Sequence, residues 1–126
     1  VGLPPAVATL VQQIRDSDAI ILATPEYNKM IPGVVKNALD WISRAKPQPL
    51  IDKPLAIVST AGRSGGEVAQ FTLRHALATF NARLLQGSAM VVPGADKAFD
   101  ENDRLISAAQ QKGLDRLMTR LQEAAQ

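Results

Sequence analysis

The sequence predicts an α/β domain built on a parallel sheet, and three observations carry that prediction. Segments 19–23 and 54–59 are short, largely apolar runs without alternation, the pattern of strands buried on both faces. The segments around them repeat apolar residues three and four apart, the period of an amphipathic helix. The two kinds of segment alternate along the chain, which favours βα units over hairpins.

Pro4-Pro5 opens the first helix, because the first turn has no use for the N–H that proline lacks. Val7, Leu10, Val11 and Ile14 form its apolar face, and Asp16-Ser17-Asp18 ends it. The run 19–23 is the first strand and 24–31 is a loop. Pro32-Gly33 then starts a second helix, striped by Val35, Ala38, Leu39 and Ile42, with Val34 and Trp41 on an adjacent flank. That flank serves equally as a subunit contact or as a partly buried helix side. Pro47 and Pro49 stop the helix, since each removes a donor and biases the preceding residue away from helix.

The second strand, 54–59, runs into a Gly-rich loop, 60–66. A third helix is expected from Glu67 to about Ala82, with Ala69, Thr72, Leu73, Ala76, Leu77 and Phe80 as its stripe. Segment 84–92 reads as one strand, in which Gly87 marks a bulge or a close backbone approach. Asn102 or Asp103 is the expected cap of a last helix, whose apolar face includes Leu105, Ile106, Ala109, Leu114, Leu117, Met118 and Leu121.

Composition excludes several function classes. The 126 residues are read as one domain with one core. Fourteen Lys and Arg nearly balance twelve Asp and Glu without clustering, so no electrostatic footprint for nucleic acid exists. The absence of cysteine excludes disulfides, thiolate metal sites and cysteine nucleophiles. It fits a reducing compartment, and a cytoplasmic location is expected. No apolar stretch approaches the ~20 residues of a membrane helix, so no membrane partner is expected. The first residues lack the basic start and apolar run of a signal peptide. His75 has no spaced partner for a metal and reads as a surface or subunit-contact residue. Asp96, Asp100, Glu101 and Asp103 lack the Gly-centred spacing of a calcium loop.

Ligands of open α/β sheets bind beyond the carboxyl ends of the strands, where two loops here enter helices. In 24–31, Pro25 fixes the exit direction, Glu26 and Asn28 offer polar groups, and Tyr27 offers a flat aromatic edge. In 60–66, Gly62, Gly65 and Gly66 allow backbone N–H groups to approach a ligand. Gly62-Arg63-Ser64-Gly65-Gly66 is neither the dinucleotide fingerprint nor a phosphate loop. Taken singly, each loop also reads as an ordinary strand-to-helix turn.

Together the loops resemble a known family. Thr24-Pro25-Glu26-Tyr27-Asn28, then Pro32-Gly33 and Lys36-Asn37-Ala38-Leu39-Asp40-Trp41, look like the NADPH-dependent FMN reductases, including bacterial quinone and chromate reductases. Gly65-Gly66, Gln70 and Leu73-Arg74 match the same family at the same separation. The resemblance implies a flavodoxin-like, three-layer α/β/α fold with helices on both faces of the sheet. It implies FMN as cofactor, with Pro25, Glu26, Tyr27 and Asn28 bordering the ring system. The loop Thr60, Ala61, Gly62, Arg63, Ser64, Gly65 and Gly66 would meet the ring's pyrimidine side. NADPH or NADH would be the hydride donor, and a quinone, flavin, azo compound or metal oxyanion the small-molecule acceptor. Neither motif implies a catalytic side chain. Arg63 is read either as a flavin or nicotinamide-phosphate contact or as a solvated residue. A homodimer or homotetramer is implied.

The sequence departs from the family pattern in two ways. Lys29 stands where several relatives carry an aromatic residue. The family's first strand and its Gly-Ser-rich phosphate loop would precede Val1, so the chain is expected to be the C-terminal two thirds of the fold. A sheet lacking that central strand should expose two strand edges and a large apolar face. A cofactor-free flavodoxin-like binding module and a flavodoxin-type electron carrier remain alternatives. An upstream strand followed by Gly-Ser-x-Arg would favour the reductase.

Overall fold

The computed structural model describes residues 2–126. Helix α1 (Pro5–Asp16) leads into strand β1 (Ile20–Pro25), helix α2 (Gly33–Ile42) and strand β2 (Pro54–Thr60). Helix α3 (Glu67–Leu77) continues as a 3-10 turn, Ala78–Phe80. Two short strands, β3 (Arg83–Leu84) and β4 (Met90–Val92), precede helix α4 (Ala108–Ala124). β2 is central, with β1 parallel on one side and β3 and β4 parallel on the other.

Alternation along the strands divides the molecule into layers. Leu55 and Ile57 of β2 point into a cluster with Ile14 of α1, Leu39 and Ile42 of α2, and Leu73 and Leu77 of α3. Ile20, Leu22 and Leu84 pack against the same cluster. α4 covers the other face, packing on β2 and β4. The predicted three-layer parallel α/β arrangement is therefore present. Burying a leucine completely contributes about 1.5–3 kcal/mol, and Leu55 and Leu73 are both 0 % exposed.

Four boundaries differ from expectation, each for a visible reason. The first strand is not buried on both faces: Ile21 is 50 % exposed, on the face of the sheet where α4 packs on β2 and β4, and β1 is paired along one edge only among the described residues. An apolar groove of about 430 Å³ runs beside it, lined by Leu10, Ile21, Val34 and Ala38 among others. The strand also extends through Thr24 and Pro25, both read as loop.

The segment 84–92 is two strands, not one. Both lie along the same edge of β2, and the chain leaves the ladder between them. Gly87 adopts a φ of 119° there. The carbonyls that lose ladder partners gain side-chain donors, Arg74 to Leu85 O at 3.0 Å and Arg120 to Gln86 O. The third helix ends at Leu77, five residues early, and Asn81 in the left-handed region (φ 56°) turns the chain away.

The last helix starts later than expected. Neither Asn102 nor Asp103 caps it. Asp103 has a φ of 59°, and Asp100 Oδ1 accepts the Asn102 and Arg104 N–H groups at 2.8 and 3.0 Å, forming a separate turn. Ser107 is the cap, accepting from Gln110 N–H at 3.3 Å. Leu105 and Ile106 therefore precede the helix, and Leu105 bridges to Phe99.

Leu73→Ala should destabilise the protein by roughly 2–5 kcal/mol through loss of transfer energy and an unfilled cavity. Denaturant unfolding with an unchanged m-value checks this.

Candidate functional site

The strand register places the candidate loops together. Pro25 pairs with Thr60 across β1 and β2, and Thr60 with Val92 across β2 and β4. Three parallel strands thus end level, and the segments after Pro25, Thr60 and Val92 emerge side by side. Ala23, Thr24, Val58, Met90 and Leu114 line a cleft of about 400 Å³ directly beneath this edge, on the α4 side.

The segment after β1 is a tight reversal. Tyr27 and Met30 exchange N–H···O bonds at 3.0 and 3.1 Å. Between them Asn28 and Lys29 both have positive φ, 52° and 66°, as the two central residues of a type I′ turn require. Asn tolerates this geometry well, Lys less so. Tyr27 is 60 % exposed, and Asn28 and Lys29 are exposed beside it.

The loop after β2 is held mainly from outside. Ala61 N–H donates to Val92 O (3.3 Å), Gly94 N–H to Gly62 O (2.7 Å) and Ala95 N–H to Ala61 O (3.0 Å). Thr60 Oγ1 donates to Val92 O at 2.9 Å. Ser59 Oγ donates to Gly65 O at 2.8 Å and accepts from Gln70 Nε2 at 2.8 Å. Gln70 Nε2 also donates to Met90 O, so one buried amide joins α3, β2 and β4. The Gln70 Oε1 atom is buried with no partner among the described residues.

The three glycines are not equivalent. A Cβ on Gly66 (φ 91°) would lie 2.7 Å from Ser59 Cβ, and one on Gly65 (φ 68°) 2.9 Å from Pro93 N. Both are buried, so their freedom serves the close approach of the loop to two strands and not an open ligand surface. Gly62 has open space at its Cβ position. Among the described residues the N–H groups of Gly62, Arg63, Ser64 and Gly65 have no protein acceptor, whereas Gly66 N–H donates to Ser64 Oγ at 3.2 Å.

Glu26 links the two loops. Its Oε1 accepts from Ser64 Oγ at 3.0 Å and its Oε2 from Ala69 N–H at 2.9 Å. The Ala69 N–H bond, with help from Ser64 and the Lys29 charge, outweighs partial burial and lowers its pKa below the ordinary 4.5. Asn28 and Arg63 make no side-chain bond to the opposite loop among the described residues. In the sequence Ser59 reads only as part of a strand, and Gln70 stands as a motif residue outside the helix stripe. The missed signal is spacing: Gln70, Leu73 and Leu77 stand three and seven apart on one buried line, which puts a polar side chain at a core position. No group of His, Cys, Asp and Glu among the described residues is arranged to hold a metal. No helix among them is long and apolar enough to cross a membrane.

Gly66→Ala should cost about 2 kcal/mol or more, since it adds left-handed strain to a clash with Ser59. Chemical denaturation measures this. A second expectation follows from Glu26. Because its pKa is lower folded than unfolded, its stabilisation is complete above pH 4.5 and disappears as pH falls through the folded value. Melting temperature in Glu26→Gln should lose that acid-side dependence while other carboxylates keep theirs.

Comparison with known proteins identifies the family. The family model described as NADPH-dependent FMN reductase matches residues 1–97. An NAD(P)H-dependent FMN reductase of Pseudomonas aeruginosa is 44 % identical over 106 residues, covering 83 % of this chain and 57 % of the relative. A quinone reductase of Escherichia coli is 44 % identical over 85 residues, covering 67 % of this chain and 45 % of the relative. The chain thus spans about half the length of these relatives. The solved structure of FerB, a flavoenzyme NAD(P)H:(acceptor) oxidoreductase from Paracoccus denitrificans, superposes with a TM-score of 0.72. It is 27 % identical, and the match covers 97 % of this chain and 66 % of that one. With a family match over residues 1–97 and relatives 44 % identical across most of its length, this chain belongs to the NADPH-dependent FMN reductase family.

Proposed function

We propose that the protein is an FMN-dependent oxidoreductase that passes hydride from NADPH or NADH to quinones. Free flavins, azo compounds and metal oxyanions such as chromate complete its proposed acceptor range. The observation that carries the reading is the run of adjacent N–H groups at Gly62, Arg63 and Ser64 that have no protein acceptor among the described residues, on a loop braced by a neighbouring strand end. Such a run suits an electron-rich, flat edge such as the carbonyl side of a flavin pyrimidine ring. FMN, when bound, supplies acceptance and donation of hydride.

This chain's residues bind, orient and shield. The N–H groups of the 60–66 loop would hold the pyrimidine edge. Pro25, Glu26, Tyr27 and Asn28 would border the ring from the adjoining loop, with the exposed Tyr27 ring offering a flat face. Arg63, exposed at the loop tip, would meet the cofactor or a nicotinamide phosphate. No side chain is assigned as acid or base. The exposed apolar side chains Met30 and Phe71, which line one groove, support self-association as a homodimer or homotetramer. A cytoplasmic setting belongs to the same reading.

The visible spectrum of the purified full-length product tests it. Flavin absorbance bleached by NADPH and restored by a quinone is expected, and failure to take up FMN on reconstitution would sink the reading. Gly62→Ala should leave stability within about 0.5 kcal/mol. It should weaken FMN binding roughly tenfold by placing a methyl group on the ring side of the loop. Fluorescence titration and thermal melting together check that split.

A further inference from the structure

We infer that Glu26 is a positioning residue: its carboxylate caps α3 from a different loop and clamps the 24–31 and 60–66 segments into one platform. The clamp itself is a property of the protein alone, while its effect on a cofactor rests on the flavin reading above.

α3 lacks a cap of its own. Its N-cap residue is Gly66, which has no side chain to accept a bond, and helix starts leave N–H groups without intrahelical partners. Ser or Asp at the cap position commonly fills that need. Here the acceptor comes from 43 residues upstream, as Glu26 Oε2 to Ala69 N–H at 2.9 Å. An anion at this end also matches the helix dipole. The other oxygen completes a chain: Ser64 Oγ donates to Glu26 Oε1 at 3.0 Å and itself accepts from Gly66 N–H at 3.2 Å. Among the described residues this is the one side-chain link between the two loops. Without it, the 24–31 segment would have no side-chain tie to the 60–66 loop, which would keep its own bonds to Val92, Gly94 and Ala95.

Two consequences separate this role from direct contact. Both carboxylate oxygens are engaged inside the protein, so Glu26 acts on a ring-side ligand through the loop positions it sets. The same charge occupies the α3 N-terminus, which closes that terminus to phosphate by like-charge repulsion.

The test uses full-length protein with Glu26→Ala, Glu26→Gln, Ser64→Ala and the double variant Glu26→Ala/Ser64→Ala. In flavin-free protein, amide hydrogen exchange at Ala69 and Gly66 should accelerate about tenfold in Glu26→Ala. FMN affinity should weaken by a similar factor. Glu26→Gln should rescue both readouts to within about threefold, since its amide oxygen still accepts from Ala69 and its NH2 still reaches Ser64. Ser64→Ala should add little on top of Glu26→Ala, because the two groups form one link. Should Glu26→Ala not accumulate, Ser64→Ala cuts the cross-loop bond while leaving Glu26 on Ala69, and weakened FMN affinity there upholds the positioning role while unchanged affinity overturns it.

Weakened FMN binding with unchanged exchange at Ala69 would overturn the inference in favour of direct contact. Faster exchange with unchanged FMN affinity would reduce the clamp to a purely structural bond and overturn the positioning role. If wild-type protein takes up no FMN, the flavin reading fails, and exchange alone then decides the clamp: lost protection in Glu26→Ala upholds it, and unchanged protection overturns it.

Discussion

Parallel pairing of β1, β2 and β4 obliges all three strands to leave the sheet at the same edge, and the register makes them leave at the same height. Pro25, Thr60 and Val92 are in line. The turn at Tyr27–Met30, the Gly-rich loop and the 93–95 segment are neighbours because of that alignment. A slip of one residue would turn each strand's core side chains to the opposite face. The packing of Leu55 and Ile57 against α1, α2 and α3 therefore sets where the loops meet as well as how the core is filled.

Polar side chains convert this proximity into a defined shape. Ser59, Thr60 and Gln70 fasten the second loop to its own strands and to β4. Buried hydrogen bonds of this kind are modest in net stabilisation but costly to break on one side, because the abandoned partner stays desolvated. Glu26 adds the cross-loop connection. The outcome is a division of labour within one short loop. Gly65 and Gly66 face inward, against Pro93 and Ser59, while the N–H groups of Gly62, Arg63 and Ser64 have no protein acceptor among the described residues.

The helices and the two long strands were legible in the sequence because apolar period and proline placement are local signals. The motif Thr24 to Asn28 and the Gly-rich loop were legible as special residues at strand ends. The break at Leu85–Ala89 was foreshadowed by Gly87 alone. It depends on Arg74 and Arg120 arriving from two helices to satisfy carbonyls, which no local pattern encodes. The delayed start of α4 was misread because Asp100, not Asn102 or Asp103, organises that turn.

By itself the sequence determined the order and type of the main elements, the absence of cysteine chemistry, and the family to which the paired loop motifs point. Only the tertiary structure decided which face of β1 is left open, which glycines are packed rather than free, and that Glu26 turns inward to cap α3. The physical reason is range. Periodicity, proline and glycine act within a few residues, whereas burial, strand register and the partners of a carboxylate 43 residues away from its donor exist only once the chain has folded.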